Sequence, residues 1–312
     1  MSFHFADIAR HAAADRHISA DEILELRRAG WADGRIKRGK AEAIFATQHT
    51  IADPSAEWSD FFVEAIRQFV LEGSEPRGFA DEEEAQWLIA QIRKDGRVCS
   101  MTELELLTSI IEKAHNVPES LKAFVLEVIE DAVMMGTGAT RCGGTLSDTH
   151  VTEAEARFMR RVIFGSASDR PAAVSRREAE MLFRIKDAVE GADNAPEFKR
   201  LFVQGVGNYL MGFAHQNAQL SAERQMELEA FVEDNEARVG AFLSAMARQA
   251  PNAFGVVFGK KAGPDYAQRA ALEAEVTSEG RHWLDGKIAA NGITDAYDRA
   301  LLEFIAEETG QA

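Results

Sequence analysis

Apolar residues recur at intervals of three and four along most of this chain. Phe61, Phe62, Ala65, Ile66, Phe69 and Val70 fall on one stripe of a helical surface. Residues 20–32, ahead of Asp33-Gly34, and 81–94, ahead of Asp95-Gly96, carry the same period. Helix starts are marked by Ser19 three residues before Glu22, by Thr152 before Glu153-Ala154-Glu155, and by Pro118. Alternation never runs beyond two or three residues, so the pattern predicts an all-α protein.

The pattern also repeats. Residues 41–71 lie over 179–211 with two extra residues in the second copy. Ala41-Glu42 then meets Ala179-Glu180, Phe45 meets Phe183, Trp58 meets Phe198, Phe62-Val63 meets Phe202-Val203, and Phe69 meets Tyr209. Residues 87–107 lie over 283–302: Trp87-Leu88 on Trp283-Leu284, Ile92 on Ile288, Asp95-Gly96 on Asn291-Gly292. One residue is then lost, and Leu106-Leu107 falls on Leu301-Leu302. The order of matches is the same in both halves, which predicts a duplication of helix–turn–helix units, about six helices to each half. Residues 1–17 form an N-terminal extension, 18–135 the first domain, 136–150 a Gly/Thr-rich linker, and 151–312 the second domain with an insertion at about 212–275. In the insertion, a helix near 221–249 leads through a flexible stretch, 248–268, to another from about 266.

Asp33-Gly34 followed by Ile36 is how the middle of a calcium-binding EF-hand loop is written. Such a loop needs oxygen ligands at positions 1, 3, 5 and 12 around a Gly at 6. With Gly34 at 6, positions 1, 3 and 12 are Ala29, Trp31 and Lys40; with Gly96 at 6 they are Gln91, Arg93 and Thr102. In the second half, Val174 at position 8 puts Asp169 at 3 and Glu178 at 12, but Ala167, Pro171 and Ala172 at 1, 5 and 6. Calcium takes six to eight oxygens, and no loop supplies more than two side-chain ligands. The Asp-Gly pairs read as tight turns, with Ile36 and Val98 plugging the core.

The stretches "DGRIKRGKAEAIF" and "DGRVCSMTELELL", each between amphipathic helices, resemble TerB-like helical domains and metal-free EF-hand-like pairs. The resemblance implies an interaction module associated with tellurite and stress-response systems, sometimes with metal at acidic positions. Lys40 and Thr102 stand where that pattern has Glu, which departs from any inherited metal role.

Thirty-five Lys and Arg against 51 Asp and Glu leave a net charge of −16, which opposes binding to nucleic acid or to anionic membranes. The arginine pairs Arg27-Arg28, Arg160-Arg161 and Arg176-Arg177 sit among acids and read as a solvated face. Cys99 and Cys142 lack metal or disulfide spacing, and no signal peptide or apolar span stands out, so a cytoplasmic protein is expected. Catalytic signals are thin. Glu112–His115 and Glu279–His282 have the spacing of di-iron ligands but occupy unrelated positions in the two halves. "GVVFGKK" (255–261) falls short of a phosphate loop. The seam Trp58, Phe61, Phe62, Phe69, Phe198, Phe202, Tyr209 reads as core. Gly205 and Gly207 interrupt it, which predicts either a close crossing by another helix backbone or a contact surface between the halves.

These readings combine into a non-enzymatic helical scaffold or interaction module with a protein partner at its acidic surface or in the groove between its halves. No residue is assigned a catalytic, cofactor-binding or metal-binding role. The alternatives are a divalent-cation sensor using Asp169, Glu178 and loop carbonyls, and a helical metalloenzyme centred on His115 or His282.

Overall fold

The computed structural model describes residues 17–51, 53–94, 100–134, 150–169, 174–211, 278–290 and 294–308, together with Phe5, Asp7 and Gly292. The Asp95-Gly96 turn with Val98, both cysteines, the linker up to residue 149, the insertion and residues 255–261 lie outside them. The described residues contain eleven helices and no strand. They are α1 (Ala20–Gly30), α2 (Arg38–Gln48), α3 (Ala56–Glu72), α4 (Glu82–Arg93), α5 (Met101–Lys113), α6 (Glu119–Met134), α7 (Glu153–Ile163), α8 (Arg176–Ala188), α9 (Pro196–Met211), α10 (Ser278–Ala290) and α11 (Ala296–Glu308). None is long and apolar enough to cross a membrane.

Local chemistry sets the starts. Ser19, Asp81, Ser100, Thr152 and Ser175 each accept from the backbone N–H three residues on, while Glu22, Glu84, Glu103, Glu155 and Glu178 reach back to the cap N–H. Each reciprocal pair satisfies two donors that the first turn would otherwise orphan. Asp295 and Asp298 do the same at the head of α11, with a side chain one methylene shorter.

Two helices carry the packing. α3 is flanked by α1, α2 and α5, and α9 by α7, α8 and α11; α5 and α6 then pack on α7, and α6 also on α8. Aromatic edges hold each group together. Phe45 meets Phe62 at 5.0 Å and 83°, and Phe183 meets Phe202 at 5.1 Å and 78°. Phe45 meets Trp87 at 5.6 Å and 82°; Phe183 meets Trp283 at 5.4 Å and 86°. Phe69 lies 4.7 Å from Trp87, and Tyr209 lies 4.9 Å from Trp283. These are edge-to-face contacts, each worth about 0.5–1.5 kcal/mol beyond the area it buries. They fall at positions the two sequence segments share.

The interrupted seam differs from expectation. A Cβ on Gly205 would lie 2.8 Å from Leu182 Cδ1, and one on Gly207 would lie 2.5 Å from Phe304 Cε1. Side chains from α8 and α11, not a helix backbone, fill the missing volume. Gly207→Ala should therefore destabilise the protein by about 1–3 kcal/mol through overpacking. Gly286→Ala in α10, with nothing within 4 Å of the new Cβ, should gain about 1 kcal/mol. Urea unfolding of both variants checks the pair.

The paired arginines also depart from a solvated face. Arg27 pairs with Glu64, Arg161 with Glu105 and Glu112, and Arg177 with Asp169 and Glu119, each from one element to another. Only their partners Arg28, Arg160 and Arg176 lack such interhelical ion pairs among the described residues.

Candidate functional site

The helix C-termini of α3, α5 and α7 gather on one side of the molecule, and a groove runs across them. Local bonds explain the gathering. Beyond α3 the chain turns at Gly78, whose φ of +82 suits glycine. Gly78 N donates to Leu71 O at 2.6 Å, and His115 N, just past α5, donates to Gly78 O at 2.7 Å. A Cβ at Gly78 would lie 2.5 Å from the His115 ring, so the two segments touch directly. On the other side, Ala167 N donates to Ile111 O at 2.9 Å, tying the exit of α7 to the last turn of α5.

The groove consists of three adjoining clefts. One of about 390 Å³ lies beside Asp33, Gly34 and Arg35; it shares Gln68, Glu72 and Arg77 with the next, of about 440 Å³. That middle cleft shares Lys113 with a third, of about 420 Å³, between α5 and the Arg160–Ser166 end of α7. Its floor is fastened by Arg161. The guanidinium donates to both oxygens of Glu105 at 2.6 and 2.7 Å and to both of Glu112 at 2.9 and 2.7 Å. Its hydrogen bonds to Glu112 and Glu105 push the Arg161 pKa above its ordinary value, against a smaller opposing effect of burial. Arg161→Met should cost about 1–2 kcal/mol, since the fork is partly solvated, and should loosen α5 from α7. Hydrogen exchange in 105–112 and 156–163 would register it.

The turns raised as cation loops carry their own cations. Gly34 has φ +80 and its N–H bonds to Trp31 O at 2.9 Å. Lys40, at loop position 12, turns its ammonium inward onto Ala29 O at 3.0 Å and Gly30 O at 2.8 Å, 3.8 Å from Asp33. A lysine ammonium thus already holds two backbone carbonyls at the head of this loop. A hydrogen bond from Lys37 and its charge, then that of Lys40, hold the Asp33 carboxyl below the usual range. Ile36 is buried beneath, as the turn reading expects.

In the second half the structure does bring Asp169 and Glu178 together, in the company of α6. Asp169 accepts from Ser175 Oγ at 2.7 Å and from Arg177 Nε at 3.1 Å, while a second guanidinium nitrogen holds its other oxygen. Arg177 also pairs with Glu119, and Lys122 lies buried nearby. Glu178 Oε2 accepts from Ser175 N at 2.8 Å. Burial first, then the charge of Asp169, push the Glu178 carboxyl up to about 8, while hydrogen bonds from Ser175 and from Asp169 N–H oppose the rise. Burial also pulls Lys122 down, against the nearby charge of Asp169 and Glu119.

The Glu-x-x-His pairs do not converge. Glu112 is held by Arg161, and His115 stacks on Phe79 at 5.6 Å, pinned by its backbone rather than frayed. Glu279 and His282 are both exposed on α10. Among the described residues no group of three or more His, Cys, Asp and Glu side chains is arranged to hold a metal ion.

A cluster that the sequence did not signal is buried between α8 and α11. Lys186 Nζ lies 3.0 Å from Asp187, 2.9 Å from Asp295 and 3.0 Å from Asp298. Its ammonium also faces the rings of Phe183 and Phe202 at 5.4 and 5.9 Å. Burial disfavours this charge, but its hydrogen bonds to Asp295, Asp187 and Asp298 outweigh it and hold the pKa above the ordinary lysine value. Counting Asp295-x-x-Asp298 as a capping box would have found two of the three partners.

Comparison of the chain with protein-family models, with curated proteins and with solved structures finds no match.

Proposed function

We propose that this protein is a non-enzymatic, cytoplasmic helical scaffold of two pseudo-repeated bundles, TerB-like in plan, which takes a protein partner in the groove between its halves. The observation that carries this reading is the groove itself. It crosses the seam between α5 and α7, extends over three adjoining clefts, and rests on the Arg161 fork, so its walls are preorganised. The recurrent edge-to-face contacts at Phe45/Phe183, Phe62/Phe202 and Trp87/Trp283 support the duplication. Arg27 over Trp31 at 5.8 Å and Arg160 over Phe164 at 5.5 Å add an equivalent pair at the ends of α1 and α7. The TerB-like plan, with its link to stress responses, rests on the two Asp-Gly motifs.

A scaffold is favoured over a cation sensor because Lys40 and Arg177 already neutralise the loop oxygens. Calorimetric titration with calcium, manganese and zinc should give no saturable heat; a stoichiometric isotherm would favour the sensor. The groove is tested by a photo-crosslinking residue at Ser166, with a control at Ala90 on the exposed face of α4. A discrete protein adduct from Ser166 alone is expected in the native cell. Identical adducts from both positions, or none, would sink the docking reading.

A further inference from the structure

We propose that the middle cleft of the groove is an oxyanion site that takes a phosphate group through Arg67, Arg77, Lys113 and His115. This goes beyond the scaffold reading, because the cleft would bind the anion whether or not a protein docks alongside.

The charge balance is the first argument. Acids outnumber bases 51 to 35 along the chain, yet the cleft is lined by three permanent cations and a histidine against one carboxylate, Glu72. An acidic protein gains nothing for solubility from collecting cations in a concavity. The second argument is that these cations are not spent on neighbours. Arg67 donates to Ser109 Oγ at 2.7 Å, and among the described residues it pairs with no carboxylate. Lys113 likewise has no ion-pair partner among them. Arg77 meets only Glu75, at 3.3 Å and with both side chains mostly exposed. The third is that the cleft is built. The Arg67 head is steered by a buried serine of α5, and the loop bearing Arg77 is clamped to the His115 segment through Gly78.

Two features oppose an anion here and must be weighed. Glu72 lines the same space, although Gln68 Nε2 already donates to it at 3.2 Å. The C-terminal ends of α3 and α5 also border this cleft and themselves favour a cation such as Lys113. That helix-end effect comes from partial charges and is screened at an exposed surface. A doubly charged phosphate meeting two guanidinium groups and an ammonium forms charge-assisted hydrogen bonds, which outweigh the partial charge of a helix end, so the cations win. At about 440 Å³ the cleft has room for a phosphate group.

Calorimetric titration of the full chain with inorganic phosphate, at an ionic strength held constant with sodium chloride, tests the assignment. A one-to-one isotherm is expected. Arg77→Gln with Lys113→Gln should weaken it by about tenfold or more. Both side chains are exposed, so the fold should survive, and an unchanged melting curve would verify that. Glu72→Gln should tighten binding, whereas Arg157→Gln, on the outer face of α7, should leave it unchanged. A phosphoserine peptide distinguishes the source: tighter binding than phosphate assigns the group to a phosphorylated partner, equal binding to a free small anion. No heat with either probe overturns the proposal. So does an affinity that ignores the Arg77/Lys113 pair or falls equally with Arg157→Gln.

Discussion

Replacing Lys186 by Met should lower the unfolding free energy by about 3–5 kcal/mol, the range for stranding buried charge after one partner is removed. Lys186 is 1% exposed and Asp298 0%. Without the ammonium, Asp295 and Asp298 face each other at the head of α11 with no cation between them. The first half offers a repair. At the aligned positions Gln48, Ser100 and Glu103 make a network with a neutral amide in place of the ammonium. Trp58 Nε1 donates to Gln48 Oε1 at 2.7 Å, Gln48 Nε2 donates to Ser100 Oγ at 3.4 Å, and Ser100 and Glu103 form the capping box. The triple variant Lys186→Gln, Asp295→Ser, Asp298→Glu should therefore regain most of the loss. Guanidinium unfolding of the single and triple variants measures both. Equal stability of the two would argue against equivalent roles in the two halves.

The second large effect is a dependence on pH centred on Glu178. Its carboxyl is pushed up to about 8 by burial and by Asp169, from an ordinary value of 4.5. Between those values the folded chain holds a proton that the unfolded chain has released. Stability from this group is thus complete below the unfolded value and falls as pH rises towards 8, levelling off above it. The groups that face it are Asp169 and Arg177 beside it and Lys122 and Glu119 on α6. Arg177, shared between Asp169 and Glu119, restrains but does not abolish the repulsion. Glu178→Gln keeps an oxygen for the Ser175 N–H and carries no titrating proton. Relative to that variant, the natural chain should lose on the order of 3 kcal/mol between about pH 5 and pH 8.5. Chemical unfolding across that interval is the measurement, and parallel curves for the two proteins would refute the mechanism.

Which parts of this molecule were readable in advance follows from the range of the forces involved. Ser19, Thr152 and Glu155 announced helix starts because a cap is satisfied within three residues. Phe61, Phe62 and Phe69 announced a seam because helical period alone brings side chains to one face. The Asp33-Gly34 turn was legible for the same reason, and so was the mismatch of Lys40 to a calcium ligand. By contrast, the arginine pairs looked like surface charge. Whether Arg161 meets water or two glutamates depends on α5, which lies about fifty residues earlier. Gly205 and Gly207 marked a close approach, but the intruding groups, Leu182 and Phe304, could not be named.

The groove shows the same division. Arg67, Arg77, Lys113 and Arg160 are unremarkable singly and have no motif spacing, so nothing in the chain order groups them. They come together because three helices end on the same side of the bundle, held by backbone bonds at Gly78 and Ala167. By itself the amino-acid order determined that this chain is helical, where several helices begin, and which face of each turns inward, since those choices depend on neighbours within a turn or two. Only the tertiary structure decided which titratable groups are buried or paired, at Lys186, Arg161 and Glu178, and which cations converge on a cleft. Charge pairing acts between groups brought close in space, and in a packed helical bundle those partners are distant in sequence.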